Sequence, residues 1–452
     1  MIMNPSIFRE YDIRGVADKD FDQEFAYNLG RAFARMIVDR GGKKASAGRD
    51  CRLSSPALSK ALIKGMIESG LEVIDIGVVT TPLVYFSLFH LNVDGGIQVS
   101  GSHNPPDQNG FKVCIGKDTI WGEEIQKVRG IIESKNYPAG KGSVKDYDLT
   151  TPYEEYILKN VKLDRPLKVV IDAGNGTAGP IAPVIIKKLG CQLTALYCDM
   201  DGNFPNHHPD PTIEKNVAEL RSRVLSEKAD LGIAYDGDAD RIGLIDDKGS
   251  IIWGDIIMIL LSRALLKEVP GAIIIGEVKC SHRLFDDIEE HGGKPLMWKA
   301  GHSLIKAKMK EVGAQLGGEM SGHIFYKHRW FGFDDAIYTS TRVLEILSKT
   351  NKKLSELLAD VPPAFNTPEI RIKSSDEKKF EIVEKVKEHF SKLGYQLNDV
   401  DGMRLMFEDG WGLVRASNTQ PMLVMRFEAE TEPRLKEIQK LVEDQVNLFN
   451  RT

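Results

Sequence analysis

Apolar residues recur along this chain at two spacings, and the switches between them predict its layout. Phe25, Leu29, Phe33, Met36 and Ile37 fall at helical spacing within residues 21–40, and Gly41-Gly42 ends that pattern. A strand begins at 45–47. Ser55-Pro56 reads as a helix N-cap followed by a first-turn proline, opening a helix that runs to Ser69-Gly70, and Thr81-Pro82 and Thr151-Pro152 open helices in the same way. Between these lie short apolar runs at 95–99, 167–171, 231–235 and 272–278, each breaking into polar or Gly-rich residues as buried strands do at their ends. The pattern restarts near 154 and near 255. We therefore expect an α/β fold of three tandem units, 1–153, 154–254 and 255–367, each built on an open mixed sheet. From 368 to 452 two charged amphipathic helices flank alternating strands around 403–407 and 422–427, with a turn at 409–412, which predicts a smaller α+β domain. Ligands of open α/β sheets sit beyond the carboxyl ends of the strands, where Ser102, the segment after Tyr235, and Lys279 all fall.

The length of 452 residues agrees with about three or four domains. A net charge of -5 gives no electrostatic footprint for nucleic acid or an anionic membrane, so the expected partners are small molecules. The amino terminus, Met1 to Pro5, lacks a signal-peptide pattern and no apolar run is long enough to span a bilayer, so the expected location is cytoplasmic. Cys51, Cys114, Cys191, Cys198 and Cys280 are scattered without a CxxC pair, which argues against disulfides and structural zinc.

Four stretches carry candidate chemistry. In Ser100-Gly101-Ser102-His103-Asn104-Pro105 the chain leaves a strand and turns, presenting Ser102 either as a covalent nucleophile beside an imidazole or as part of a polar turn. Neighbouring side chains on an extended segment point apart, so Ser102 and His103 need not touch. In Asp236-Gly237-Asp238-Ala239-Asp240-Arg241 three crowded carboxylates repel unless a cation neutralises them, and all-oxygen ligation favours magnesium or calcium; the alternative is a solvated acidic turn. An EF-hand would need Gly and Glu where Arg241 and Asp247 stand. Gly318-Glu319-Met320-Ser321-Gly322-His323 offers a carboxylate and a hydroxyl suited to a vicinal diol, or a Gly-rich turn. Arg415-Ala416-Ser417-Asn418-Thr419 gathers partners for a phosphate, or a capped turn. The Gly-rich loop at 172–179 is either a phosphate cradle or a site of tight packing.

These four stretches together, in this order and across the whole chain, resemble the α-D-phosphohexomutases. The Glu-Met-Ser loop, Glu277-Val278-Lys279-Cys280-Ser281 and Trp298-Lys299-Ala300-Gly301-His302-Ser303 are most similar to the bacterial phosphomannomutase/phosphoglucomutase group. The resemblance implies a four-domain, heart-shaped isomerase whose domains surround one central cleft. By it Ser102 would carry a phosphoryl group, and Asp236, Asp238 and Asp240 would hold one Mg2+ against that serine. The implied catalytic set is Ser102, His103, Lys112, Arg241 and His323, with the general acid and base left open between candidates such as His323 and Lys112. Lys279, His302, Glu319, Ser321 and His323 would meet the sugar. Arg415, Ser417, Asn418 and Thr419 would hold the phosphate that is not reacting, and Tyr11 and Arg14 would line the cleft. The substrates would be hexose phosphates of mannose or glucose, with glucose 1,6-bisphosphate as intermediate. Phosphoglucosamine mutase, which usually has Gln at the place of Met320, and a non-catalytic metal or sugar-phosphate binding protein are the alternatives; monomer and dimer both stay open. Ala239 stands where the family usually has glycine, a departure that matters only if the backbone there needs positive φ, which we do not expect.

Overall fold

Four sheets follow one another along the chain in the computed structural model, which describes residues 4–417 and 421–451. In the first sheet the central strand Lys44–Arg49 runs parallel to Glu72–Val78 and Gly95–Val99, while Gln108–Ile115 returns antiparallel beside Gly95–Val99 and pairs with Ile13–Val16. The second sheet places Lys168–Asp172 between the parallel strands Gln192–Leu196 and Leu231–Tyr235, with Ile242–Ile245 antiparallel beside the latter and the short Ile251–Ile252 at the edge. The third places Ile273–Glu277 between the parallel strands Lys294–Trp298 and Leu316–Gly318, again with an antiparallel neighbour, Ile324–Tyr326. All three are therefore open mixed sheets. The last sheet is antiparallel, built on Met403–Phe407, Gly410–Ala416 and Met422–Ala429 and covered by helices Lys378–Lys392 and Glu432–Arg451. The short strand Phe365–Asn366, ahead of the expected boundary at 367, also pairs with it.

Parallel pairing decides where the functional loops emerge. Arg49 lies opposite Val99, Ala234 opposite Asp172, and Gly276 opposite Gly318, so in each sheet two adjacent strands deliver their following residues to the same edge. The first three units are welded together by one continuous apolar core that includes Leu83, Phe86, Ile171, Ile233, Leu261, Ile274 and Tyr338. Trp330 stacks on Tyr338 with ring centroids 4.1 Å apart, and Phe86 and Tyr153 close around the same indole. The last unit has its own core around Phe390, Leu405, Phe427 and Ile438, and a small cluster of Val278, Trp411 and Leu413 joins it to the third. Among the described residues no helix is long and apolar enough to cross a membrane.

Three local expectations need correction. The helices begin at Ser55 and Thr81, but neither hydroxyl caps its helix. Ser55 Oγ donates to Asp50 Oδ1 at 2.5 Å and Thr81 Oγ1 to Asp238 Oδ2 at 2.6 Å. The turn expected at 409–412 lies at 408–409 instead: residues 410–412 open the strand Gly410–Ala416, where Trp411 is buried under the Arg404 guanidinium at 3.8 Å from the ring centre.

Candidate active site

Ser102 lies three residues beyond the strand Gly95–Val99 with φ 49°, in the left-handed region that a serine seldom adopts. That turn corrects the expectation of an extended segment. Its Oγ donates to Asp236 Oδ2 at 2.7 Å and also lies 3.0 Å from His103 Nδ1, so the adjacent side chains do touch. Asp236, Asp238 and Asp240 are fully buried and bring carboxylate oxygens within 4.8 Å of one another. Ala239 has φ 60°, so the position that the family usually fills with glycine does need positive φ, and the alanine carries strain there.

The first unit supplies most of the donors to this acidic loop. Ser100 Oγ, Thr81 Oγ1 and Lys112 Nζ all donate to Asp238 Oδ2, at 2.8, 2.6 and 2.9 Å, and Lys112 also pairs with Asp240. Burial works against the Lys112 charge, but Asp238 and Asp240 outweigh it and hold the ammonium above its ordinary range. Burial and the charges of Asp240 and Asp238 push the Asp236 carboxyl well up. Asp238 Oδ1 is buried without a hydrogen-bond partner among the described residues, and that oxygen among three carboxylates fits a hard divalent cation.

Across this loop stands the third unit. Burial opposes a charge on His323, but Asp240 and the bonds to Asp240 and Glu319 raise its pKa to about 9. Its Nδ1 is 2.6 Å from Glu319 Oε2 and its Nε2 3.2 Å from Asp240 Oδ1, while Arg241 Nε approaches to 3.3 Å and Ser321 Oγ to 3.2 Å. Glu319 is buried and accepts Gly301 N at 2.6 Å, so its carboxylate faces inward. Burial, then Arg241 and Arg14, keep His103 neutral; burial, then Lys306 and Lys112, do the same for His302. Arg14 reaches Asn104 Oδ1 at 3.3 Å, and Tyr11 donates to Ala300 O at 2.7 Å.

The structure thus gathers Ser102, His103, Lys112, Arg241, His323 and the three aspartates in one bonded cluster. Arg415 and Lys279 are tied to other groups. Arg415 Nε pairs with Asp401 at 2.9 Å, Asp401 accepts Ala300 N at 3.0 Å, and Lys279 Nζ lies 3.4 Å from Glu369 and 3.6 Å from Glu277. Ser417 is buried on the same strand end, its carbonyl accepting Lys379 Nζ at 2.7 Å. Asn418 and Thr419 lie outside the described residues. The loop at 172–179 is packed tight: a Cβ on Gly179 would fall 2.0 Å from Cys198 O, and one on Gly176 2.7 Å from Gly237 O. Asp50, Arg52, Thr81 and Asp401 were missed from sequence. For Asp50 and Arg52 the signal was present, since they follow the strand Lys44–Arg49 to the edge that carries Ser102.

Known proteins match this chain over most of its length. Residues 5–138, 151–249 and 253–365 match alpha/beta/alpha domains I, II and III of the phosphoglucomutase/phosphomannomutase family, and 369–445 match its C-terminal domain. The chain is 46% identical to the phosphomannomutase/phosphoglucomutase of Pseudomonas aeruginosa over 98% of its own length and 95% of the relative's. It is 43% identical to a phosphoglucomutase of Neisseria gonorrhoeae, over 96% and 95%. A crystal structure of a phosphoglucomutase/phosphomannomutase family protein from Burkholderia thailandensis superimposes with a TM-score of 0.94 at 43% identity, covering 99% of this chain and 98% of that one.

Proposed function

Because this chain belongs to the phosphoglucomutase/phosphomannomutase family of enzymes, we propose that it interconverts the 1-phosphate and 6-phosphate of mannose or glucose through a phosphoserine at Ser102 and a 1,6-bisphosphate. One observation carries the reading: Ser102 Oγ stands 2.7 Å from Asp236 on a loop of three buried carboxylates, and the Lys112 ammonium, from the strand Gln108–Ile115, is bonded to that loop. A serine so placed can give up and take back a phosphoryl group in a site whose cations offset the charge of the transferred group.

The phosphoryl group leaves Ser102 Oγ as the free hydroxyl oxygen of the bound monophosphate forms its new P–O bond; the hydroxyl proton passes to a base, and an acid returns a proton to the departing Ser102 Oγ. The resulting bisphosphate turns over and returns its other phosphoryl group to the same oxygen. Asp236, Asp238 and Asp240 would hold Mg2+, which when bound supplies charge neutralisation at the reacting phosphate. Arg241 and the His323 imidazolium add positive charge from the opposite side. Glu319, Ser321, His302 and Lys279 would meet sugar hydroxyls, with Glu319 first released from its bonds to His323 and Gly301 N, and Arg415, Ser417, Asn418 and Thr419 would bind the second phosphate. Each unit, 1–153, 154–254, 255–367 and 368–452, contributes one loop. The protein would work in the cytoplasm on these small molecules.

A coupled assay with mannose and glucose 1-phosphate, and with their 6-phosphates, tests the assignment. Turnover that needs a divalent metal and rises with added glucose 1,6-bisphosphate is expected. Turnover of glucosamine phosphate in preference to all four would overturn the choice of hexose.

A further inference from the structure

We propose that Arg52 is a positioning residue for phosphoryl transfer, holding the backbone of the Ser102 loop; this rests on the mutase reading above. Arg52 is fully buried, and its guanidinium is spent almost wholly on carbonyl oxygens of one loop. Nη2 donates to Ser102 O at 2.7 Å and Asn104 O at 2.6 Å, and Nη1 to Pro105 O at 2.5 Å and Gln108 O at 3.0 Å. Four carbonyls of one short loop thus converge on a single cation. Without it their partial charges would repel and the buried oxygens would lose their donors.

Asp50 completes the clamp from the other side. It pairs with Arg52 Nε at 3.2 Å, accepts Gly101 N at 2.9 Å, and is itself held by Ser55 Oγ. Phe204 of the second unit lies 5.1 Å from the guanidinium, closing it off from solvent. The loop so gripped contains Ser102 at φ 49°, a conformation that persists only where the surroundings hold it. Arg52 touches neither the acidic loop's carboxylates nor Ser102 Oγ, so its influence on chemistry runs through the loop's backbone. Only a planar fork of donors can serve this arrangement, because a lysine offers three donors from a single point.

The test is Arg52→Lys in the full-length enzyme, which keeps the charge and loses the fork. A kcat lower by about 100-fold is expected, the cost of a small misplacement of a reacting atom. KM for glucose 1-phosphate should stay within about threefold, because the groups that bind the sugar phosphate are untouched. Amide exchange should quicken at residues 100–109 and not elsewhere. A variant with wild-type kcat, or one whose exchange quickens throughout, overturns the proposal. If the wild type itself neither carries phosphate on Ser102 nor interconverts hexose phosphates, the mutase reading fails instead. Should Arg52→Lys not fold, nitrogen-15 NMR of the wild-type guanidinium decides: separate, slowly exchanging Nη–H signals are expected, and a single averaged signal refutes the clamp.

Discussion

The two ends of the candidate site are built differently. At the transfer end, side chains of the first three units bond directly to one another: Ser102 to Asp236, Thr81 and Lys112 to Asp238, His323 to Asp240. These units also share one apolar core, so the reacting groups are fixed by packing that continues behind them. The phosphate-clamp end stands on a unit with a core of its own. It reaches the third unit through the small apolar cluster around Trp411 and through polar ties: Arg404 to the carbonyls of Val278 and Cys280, Arg426 to the Lys279 carbonyl, Arg415 through Asp401 to Ala300 N. A preorganised transfer end suits chemistry, whereas a separately cored clamp suits an intermediate that must present first one end and then the other. Substitutions at the first end should therefore act on kcat, and those at the second on KM and on retention of the intermediate.

The largest expected contrast comes from Ser102→Ala, which should lower kcat by more than about 10,000-fold while calorimetry finds the affinity for glucose 6-phosphate little changed. A parallel collapse of binding would erase the division between the ends. Asp335 tests the packing behind the acidic loop, since it begins the helix whose Ala336 N donates to Ala239 O at 3.1 Å. Burial lifts its carboxyl to about 7 from an ordinary 3.8. The folded state thus holds a proton that the unfolded state has released, so this group's stabilisation is complete below about pH 4 and is lost as pH rises through about 7, by roughly 2–4 kcal/mol. Urea titrations across that window should show the slope, and Asp335→Asn should flatten it. Asp238→Asn should weaken metal binding and turnover together, by about 100-fold or more, and chelator should silence the wild type reversibly. Full activity in excess chelator would remove the metal from the account.

At the other end, Arg415→Ala should raise KM for 1-phosphate and 6-phosphate alike by roughly 30-fold, about 2 kcal/mol of charge-assisted hydrogen bonding. It should also release more 1,6-bisphosphate during turnover, which a coupled trap would measure. An effect on one orientation alone would place the clamp elsewhere. Smallest of all, Ala239→Gly should shift stability by less than about 1 kcal/mol, since relief of the left-handed strain is offset by greater chain freedom when unfolded.

The layout was legible because buried apolar strands break abruptly into polar loops, which marked Ser102, Asp236 and Lys279 without any knowledge of pairing. What escaped notice depends on tertiary context. Ser55 and Thr81 look like local caps, and only the approach of Asp50 and Asp238 turns their hydroxyls to other use. The glycines flanking Trp411 suggested a turn reaching 412, but burial of the indole against Arg404 and Val278 keeps 410–412 in a strand and confines the turn to 408–409. The positive φ of Ser102 and Ala239 leaves no trace in residue identity, because serine and alanine are chosen there against their own preference.

The central claim is that Ser102 carries the phosphoryl group between the two ends of the sugar, and intact-mass analysis of a single turnover tests it most directly. Enzyme charged with glucose 1,6-bisphosphate should be heavier by about 80 Da, with the phosphate mapped to Ser102. Adding hexose monophosphate should return that mass to the unmodified value as bisphosphate appears in equal amount. Conversion of 1-phosphate to 6-phosphate by protein that never gains this mass would contradict the account.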